Sequence, residues 1–327
     1  MIRRVTAAMF VVVFVVLGTA TAAQAKTTLK MATLAPPRSP WGNVFRTWAK
    51  AVDKKTKGEV DVVWLWNGTA GPEKAVVGKI RSGQIGGAAI TGVGLSAIDK
   101  GIIGLQMPGA FDSWSQLDKA RNKLKPAFEK QIAAKGFYLG GFGDVGIGRV
   151  MSKGFAVKVP TDLRGKHPGD IADDIIGPKV YAVIGGVTPV PSSVVGFLPK
   201  LNSGAIDVMN TPSLAAEQLQ WASRLDHINT GTTYFSIGAV VLSKKQLSKM
   251  PADQRKVVTE TGHLAAKALT ARIRGADNAA FARLKKKMSV HNPTAAETAE
   301  WKKVFKKACQ RLKSAIPGGV LTKIGAC

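Results

Sequence analysis

The chain has 327 residues, 45% of them hydrophobic and 21% charged, which is the composition of a globular protein and excludes a disordered or low-complexity chain. Its length suits two domains of ordinary size. Lysine and arginine outnumber aspartate and glutamate by 47 to 21, which would suit an anionic ligand, a phospholipid surface or nucleic acid. The lysines are nevertheless spread along the chain without interleaved aromatic residues, so we expect a solvated basic surface and no nucleic-acid binding.

The N-terminus has the order of a secretory signal peptide. Arg3 and Arg4 precede an apolar run at 7–17, and small residues then lead to Ala23-Gln24-Ala25. The apolar run is shorter than the roughly 20 residues of a transmembrane helix. We therefore predict cleavage after Ala25 and export of a soluble protein to the periplasm.

The mature chain opens with alternating strand and helix patterns. Ser39 and Pro40 mark a helix start, with serine as the cap and proline at the first helical position, and Gly58 marks its end. Strands are predicted on either side of it and after a further short helix, at 27–35, 59–66 and 84–91. This β-α-β-α-β order is typical of a parallel sheet with helices on its faces.

The rest of the chain continues the α/β pattern. The glycine-rich segment at 136–157 looks like a strand, and its change of composition indicates a crossing into a second domain. An apolar strand is predicted at 234–243. Helices are predicted at 114–135, 252–288 and 295–313, of which the second has no internal proline and exceeds the usual globular length.

The two cysteines, Cys309 and Cys327, both lie near the C-terminus. In an oxidising compartment we expect a disulfide that fixes the tail, with two free thiols as the alternative. No histidine lies near them in the sequence, so they do not indicate a metal site.

Catalytic and cofactor patterns are weak throughout the chain. The G-x-G-x-x-G match at 141–146 leads into a strand-like segment and not into the helix that dinucleotide binding requires. The four histidines are scattered, and no nucleophile elbow of the G-x-S-x-G type occurs. Asp170, Asp173 and Asp174 suit one side of a helix start better than a calcium loop. We expect no cofactor, no metal and no enzymatic activity.

An exported two-domain α/β protein without catalytic residues indicates a solute-binding receptor, whose two domains close on a ligand. Four ordered segments resemble the DctP-type receptors of tripartite ATP-independent periplasmic (TRAP) transporters, and together they extend over most of the mature chain. They are TLAPPRSPWGNVFRTWAKAVDKKTKGEVDVVWLWNGTAGPEKAVVGKIRSGQI (33–85), GLQMPGAFDSWSQLDKA (104–120), GRVMSKGFAVKVPTDLRGK (148–166) and GGVTPVPSSVVGFLPKLNSGAIDVMNTP (185–212).

The resemblance implies a two-domain periplasmic solute-receptor fold with crossing strands and one very long helix that spans both domains. It implies a first domain at 26–147 plus about 237–270, and a second domain, with the C-terminal helix, at 148–236 plus about 271–327. The implied function is capture of a small organic ligand between the domains and its delivery to the TRAP permease subunits in the membrane.

The chain departs from the family pattern where that pattern has an arginine that grips a substrate carboxylate. His167, Pro168 and Gly169 stand around the place of this arginine in the segment DLRGKHPGD. A second family arginine is matched by Arg149, which would either bind an anion or pair with a carboxylate of its own domain. A glutamate and a tyrosine of the family are also replaced, by Gly196 and Leu198.

These exchanges replace polar groups of the cleft with small or apolar ones, and the family's asparagine before the final proline is Thr211 here. Because a buried polar group without a partner is costly, the ligand should change with the pocket. We therefore expect a ligand that is less acidic or more apolar than a simple dicarboxylate. The resemblance and the loop ends predict these cleft residues: Trp41, Trp66, Thr91, Gly92, Phe111, Arg149, His167, Asp170, Pro191 and Thr211.

Plain core packing is the alternative for each aromatic residue of this set. For the whole protein, one alternative is a periplasmic carrier of an apolar or lipid-like ligand that works with a tetratricopeptide-repeat partner protein. An assembly role and an enzyme are more distant alternatives, and the enzyme would need a catalytic pair that the sequence does not show.

Overall fold

The structure, a computed structural model, describes residues 26–327. The predicted signal peptide and its cleavage site therefore lie outside the described residues. Within this range no helix combines the length and the apolar character that a membrane crossing requires.

The first part of the chain folds as the predicted β-α-β-α-β unit. Its elements are β1 (Thr27–Thr33), α1 (Pro40–Lys55), β2 (Val60–Leu65), α2 (Glu73–Ser82), β3 (Gly87–Thr91) and α3 (Gly92–Ser96). Ser39 caps α1 as predicted, because its Oγ accepts a hydrogen bond of 3.1 Å from the amide of Gly42. Strand β1 pairs in parallel with both β2 and β3, which confirms the parallel sheet.

The remaining part alternates short strands with helices before it ends in two long helices. Its strands are β4 (Phe137–Ser152), β5 (Pro168–Ile171), β6 (Val190–Ser192), β7 (Val208–Pro212), β8 (His227–Asn229), β9 (Phe235–Ser243) and β10 (Ser289–His291). Its helices are α4 (Trp114–Ala134), α5 (Gly177–Ile184), α6 (Phe197–Asn202), α7 (Ser213–Gln218), α8 (Lys244–Leu247), α9 (Ala252–Lys285), α10 (Ala295–Leu312) and α11 (Val320–Lys323). The three predicted helices are α4, α9 and α10, and α9 ends three residues before the predicted end.

Strands β4 and β9 join two halves of the sheet, whose strand order is β2-β1-β3-β9-β4-β7-β5-β6. Strand β4 pairs antiparallel with β9 up to Ile147, and with β7 from Gly148 onward. Its 16 residues therefore pass from one half of the sheet into the other. The crossing strands of the predicted two-domain fold are confirmed.

The glycine pattern at 141–146 lies within β4, so its predicted strand character is confirmed. Gly141 and Gly146 have positive φ angles of 141° and 144°, which L side chains rarely adopt. A Cβ on Gly146 would lie 2.6 Å from the carboxyl carbon of Asp277, and a Cβ on Gly141 would lie 2.6 Å from the Cβ of Ala266. The glycines thus allow α9 to lie directly against the strand.

Helix α9 spans both halves of the molecule, as predicted. Its 34 residues extend over about 50 Å at 1.5 Å per residue. Near one end, Thr261 Oγ1 accepts a hydrogen bond of 3.0 Å from Trp48 Nε1 in α1. Near the other end, the carboxylate of Asp277 accepts hydrogen bonds from the amides of Ile147 at 2.9 Å and Leu214 at 2.8 Å. These contacts fix one helix to elements of both halves.

The C-terminal tail also contacts both halves. A disulfide joins Cys309 in α10 to Cys327, with their Cα atoms 5.6 Å apart, which confirms the predicted bridge. Helix α10 packs against α5 of the second half. Helix α11 packs against the 3-10 turn at Ile102–Gln106, where a Cβ on Gly104 would lie 2.8 Å from Val320 Cγ1.

The acidic segment at 170–174 forms a helix start in part only. Asp174 accepts hydrogen bonds from the amides of Ile176 at 3.0 Å and Gly177 at 3.1 Å, at the beginning of α5. Asp173 lies in the preceding turn and pairs with Lys74 across 3.4 Å. The helix-start interpretation is wrong for Asp170, which lies in β5, because α5 begins only at Gly177.

Candidate functional site

A cavity of about 230 Å³ lies between the two halves of the sheet. Helix α1 and the end of β3 form one wall, and β5, α5 and β7 form the opposite wall. The crossing strands form its floor, and α10 contributes Trp301 and Phe305. Its position between two rigid halves is that of a receptor cleft.

The cavity wall is mainly apolar, and its charged groups all have one sign. Its eight aromatic residues are Trp41, Phe45, Tyr181, Phe197, Trp221, Tyr234, Trp301 and Phe305. Its four carboxyl groups are those of Glu73, Asp144, Asp170 and Asp174. Among residues 26–327, no lysine, arginine or histidine lines this cavity.

Glu73, at the start of α2, is held by the end of β3. Its carboxylate accepts hydrogen bonds from the amide of Thr91 at 2.7 Å, the hydroxyl of Thr91 at 2.6 Å and the amide of Gly94 at 3.1 Å. Burial raises the pKa of Glu73, and the three hydrogen bonds act in the opposite direction. This carboxylate is therefore a fixed part of the wall.

Asp144, in β4, is neutralised by two arginines behind the wall. Its Oδ1 accepts a hydrogen bond of 2.6 Å from Arg121 Nη1, and its Oδ2 accepts one of 2.7 Å from Arg274 Nε. Both arginines also bind Asp118, with Arg274 Nη2 and Arg121 Nη2 each 2.7 Å from its Oδ1. Two arginines and two aspartates thus form a network with no excess charge.

Asp170, in β5, lacks such partners. Its side chain is only 8% exposed, and no hydrogen bond from the described residues reaches its carboxyl group. Burial and then the neighbouring Asp174 raise the pKa of Asp170 to about 8. At neutral pH Asp170 is therefore mainly the uncharged acid.

The groups around Asp170 are also acidic. Burial raises the pKa of Asp174, although the amides of Ile176 and Gly177 donate hydrogen bonds to it. Burial likewise raises the pKa of the phenols of Tyr181 and Tyr234, and the charges of Asp170 and Asp174 add to both effects. This end of the cavity, formed by Asp170, Asp174, Tyr181 and Tyr234, is called the acidic end below.

Four of the ten residues predicted from the sequence line the cavity, namely Trp41, Thr91, Asp170 and Thr211. Trp41 reaches it from α1, and its Nε1 donates a hydrogen bond of 3.3 Å to the backbone oxygen of Asp144. Thr91 is turned towards Glu73, and Thr211 lies in β7 opposite Arg149. The structure brings these four residues together from both halves of the molecule.

Arg149 lies outside the cavity wall, in contact with α9. Its guanidinium group is 3.7 Å from the ring centroid of Phe281, and its Nη1 is 3.8 Å from Asp277 Oδ2. Burial lowers the pKa of Arg149, and the charge of Asp277 acts in the opposite direction. The pairing with a carboxylate of the protein, one of the two roles expected for Arg149, is present, and its role in ligand binding stays a prediction.

The other five predicted residues also lie outside the wall, and their ligand contacts stay predictions. Trp66 stacks on Trp64 with 5.5 Å between ring centroids. His167 is exposed, with its Nδ1 3.5 Å from Asp207. Gly92 begins α3, Phe111 is buried in the core, and Pro191 is exposed in β6.

The sequence did not single out several wall residues that the structure brings together. Tyr181 and Phe305 are aromatic residues on helices, and their patterns are equally typical of core packing. Trp301 and Phe305 are four residues apart on α10, so their spacing predicts one apolar helix face. The spacing does not show which part of the protein that face packs against. Glu73 appears as an ordinary acidic residue at a helix start.

The comparisons with known proteins agree with this architecture. The model of the DctP family, described as bacterial extracellular solute-binding protein, family 7, matches residues 31–315. No curated protein sequence matches the chain significantly.

Solved structures of TRAP periplasmic solute binding proteins share the fold. One from Sulfurospirillum deleyianum, with bound succinate, has a TM-score of 0.86 at 17% identity and covers 92% of this chain and 99% of its own. One from Ralstonia eutropha, with bound (S)-2-acetolactate, has a TM-score of 0.84 at 20% identity and covers 92% and 98%. One from Desulfovibrio salexigens, with bound orotic acid, has a TM-score of 0.82 at 17% identity and covers 92% and 97%.

Proposed function

Since this chain belongs to the bacterial extracellular solute-binding protein family 7, we propose that it captures a small, largely apolar organic solute and delivers it to a TRAP-type permease. The family consists of receptors, so the protein is a periplasmic solute-binding receptor and not an enzyme. The proposal concerns the kind of solute and the permease that accepts it.

The absence of basic side chains from the described cavity wall carries the proposal about the solute. The related structures hold the acids succinate, acetolactate and orotic acid. A carboxylate that leaves water needs a charged or hydrogen-bonding partner, and arginine is the usual one. In this protein an acid would instead meet four carboxyl groups and eight aromatic side chains. An apolar solute fits that wall better.

The position of Gly169 supports this proposal. It is one of the three residues, with His167 and Pro168, that the resemblance sets around the place of the family's carboxylate-binding arginine; it lies in β5 and lines the cavity. A Cβ on Gly169 would lie 2.6 Å from Met209 Sδ and 3.2 Å from Phe197 Cε1. Apolar side chains therefore occupy the space into which a longer side chain would extend.

The proposed cleft lies between a domain at 26–147 plus about 237–270 and a domain at 148–236 plus about 271–327. The change of partner of β4 between Ile147 and Gly148 supports this division. Contact with the solute is proposed for Trp41, Thr91, Asp170 and Thr211, because all four line the cavity. Export by cleavage after Ala25 is part of the proposal and is tested by N-terminal sequencing of the secreted protein.

Delivery of a lipid-like ligand to a tetratricopeptide-repeat partner is a second candidate, which the apolar wall favours. The volume of about 230 Å³ is below the roughly 300–1,000 Å³ of pockets for drug-sized ligands, so it favours a small solute over a lipid. Recovery of a lipid from the natively purified protein would favour the lipid carrier over the receptor for small solutes.

Thermal shift measurements on the mature protein test the proposed solute class. We expect uncharged aromatic compounds to raise Tm more than succinate or orotate does at equal concentration, because a ligand stabilises only the state that binds it. Val63→Ala, which changes an exposed strand residue away from the cavity, is the control variant. A larger shift with succinate or orotate than with every uncharged compound would contradict the proposal.

A further inference from the structure

The four carboxyl groups of the cavity wall differ in how many of their hydrogen-bonding positions are used. Glu73 accepts from three donors, Asp144 accepts from two arginines, and Asp174 accepts from two backbone amides. Asp170 alone receives no hydrogen bond from the described part of the chain. It is also more than nine-tenths buried and lines the cavity. An unpartnered acid at this position indicates that its partner comes with the ligand.

We propose that the solute carries one positively charged nitrogen, and that this nitrogen pairs with the Asp170 carboxylate at the acidic end of the cavity. The inference rests on the proposed receptor function and specifies its substrate class as apolar amines. The solute would place its ammonium group between β5 and α5 and its apolar body against the aromatic wall.

The groups that face Asp170 from the neighbouring elements support a cation. Asp174 comes from the turn after β5, Tyr181 from α5, and Tyr234 from the segment before β9. Within residues 26–327, no basic side chain lines this part of the wall. One positive charge there would face two carboxyl groups and two phenol rings, and aromatic faces also attract cations.

A divalent metal ion fits this end less well than an organic cation. Calcium takes six to eight oxygen ligands and magnesium demands octahedral geometry. Among the described residues, no group of three or more acidic, histidine or cysteine side chains is arranged to hold a metal. Two carboxyl groups beside an apolar wall suit a single charge on an organic molecule.

The titration of Asp170 gives the inference a distinct pH dependence. The free site is protonated below a pKa of about 8, whereas the proposed complex contains the carboxylate. Binding of an ammonium group at about pH 7 should therefore release close to one proton, and affinity should rise almost tenfold per pH unit from about pH 5 to about pH 7. A neutral ligand held by the protonated acid would show the opposite trend, with affinity that falls above about pH 8.

Calorimetric titration with three probes of nearly equal size tests the inference. Benzylamine, benzyl alcohol and benzoate share an aromatic ring and differ in charge. We expect benzylamine to bind at least about tenfold more tightly than benzyl alcohol, and benzoate to bind most weakly. The binding enthalpy of benzylamine should depend on the ionisation enthalpy of the buffer, because a proton is released.

Two variants, one in β5 and one in the turn that follows it, provide the comparison. Asp170→Asn should abolish the preference for benzylamine and the proton release. Asp173→Asn, three residues further along and paired with Lys74 outside the cavity, should keep both properties. Unfolding temperatures of the two variants show whether each is folded.

The outcomes separate this inference from the proposed function. Equal binding of benzylamine and benzyl alcohol, unchanged in Asp170→Asn, overturns the inference and leaves a receptor for apolar solutes. Tightest binding of benzoate overturns both. Absence of benzylamine binding at millimolar concentration, or a neutral or acidic ligand recovered from the natively purified protein, also overturns the inference.

Discussion

Asp144 and Asp170 are both buried aspartates of the cavity wall, and their surroundings are opposite. Asp144 lies between Arg121 and Arg274, with both oxygens in charge-assisted hydrogen bonds. Asp170 lies beside another carboxyl group and two phenols, and no positive charge among residues 26–327 pairs with it. The same side chain therefore stabilises the fold at one position and is left available for a ligand at the other.

The comparison also shows how the fold assigns the two roles. The arginines that bind Asp144 come from α4 and α9, two long helices that pack behind the crossing strands. Asp170 lies on β5, a strand of four residues, and α5 begins beside it. The bound network lies where rigid helices meet, and the unpartnered acid faces the open space between the halves.

The largest expected effect comes from removing the charge of Asp144. Asp144→Asn leaves Arg121 and Arg274 without their shared buried partner, and it should lower the free energy of unfolding by about 3–5 kcal/mol. Urea denaturation at neutral pH measures this loss. Arg283→Ala is the control, since it breaks an exposed pair with Glu217 and should cost less than about 1 kcal/mol. Equal losses in the two variants would remove the distinction between buried and exposed pairs.

The next largest effect is a pH dependence of the free energy of unfolding that arises from Asp170. The pKa of Asp170 is raised from 3.8 to about 8, so the folded protein binds this proton more tightly than the unfolded chain does. Protonation of Asp170 at low pH therefore favours the folded state. The contribution of this proton to the free energy of unfolding is complete below the pKa of Asp170 in the unfolded chain. It is lost as pH rises towards the pKa of Asp170 in the folded protein. Between about pH 5 and about pH 7 the wild type should lose roughly 1.4 kcal/mol per pH unit relative to Asp170→Asn.

Urea denaturation of both proteins across this pH range measures the difference. Asp173→Asn should run parallel to the wild type, because Asp173 lies in a half-buried turn outside the cavity, paired with Lys74. Parallel curves for Asp170→Asn and the wild type would show that Asp170 is ionised in the folded protein, and its contrast with Asp144 would disappear.

The smallest effect concerns the hydrogen bond that joins Trp41 to the backbone of Asp144. Trp41→Phe removes the Nε1 donor and keeps most of the aromatic surface, so it should cost about 1 kcal/mol. The pH dependence of unfolding should stay that of the wild type, because the change affects the Asp144 side of the cavity. A changed pH slope in Trp41→Phe would mean that the two carboxyl groups are coupled.

Much of the fold was predictable because local signals and tertiary packing agree. Ser39 and Pro40 give the start of α1, and the alternating patterns give the strands of the opening parallel sheet. The uninterrupted pattern after Pro251 gives the long helix, although its C-terminal boundary was placed three residues too far. The acidic pattern at 170–174 wrongly predicts a helix start at Asp170, because the pattern does not show the turn that separates β5 from α5.

The candidate site was predictable only in part. Trp41, Thr91, Asp170 and Thr211 lie at element ends or in motifs that point into the cleft, and they line the cavity. Arg149 carries the same kind of motif, yet its guanidinium group packs on Phe281 of α9, more than a hundred residues away in the chain. A motif fixes the position of a residue on its strand, but the direction of its side chain depends on what packs there.

The sequence by itself determined the order of helices and strands, the family and the disulfide. These features depend on residue types and on spacings within one segment. Only the tertiary structure decided that Asp144 is neutralised and Asp170 is not, because the arginines of α4 and α9 reach one carboxyl group and no basic side chain in the described part of the chain reaches the other. The charge state of a buried group is set by the atoms around it, and distant parts of the chain supply those atoms.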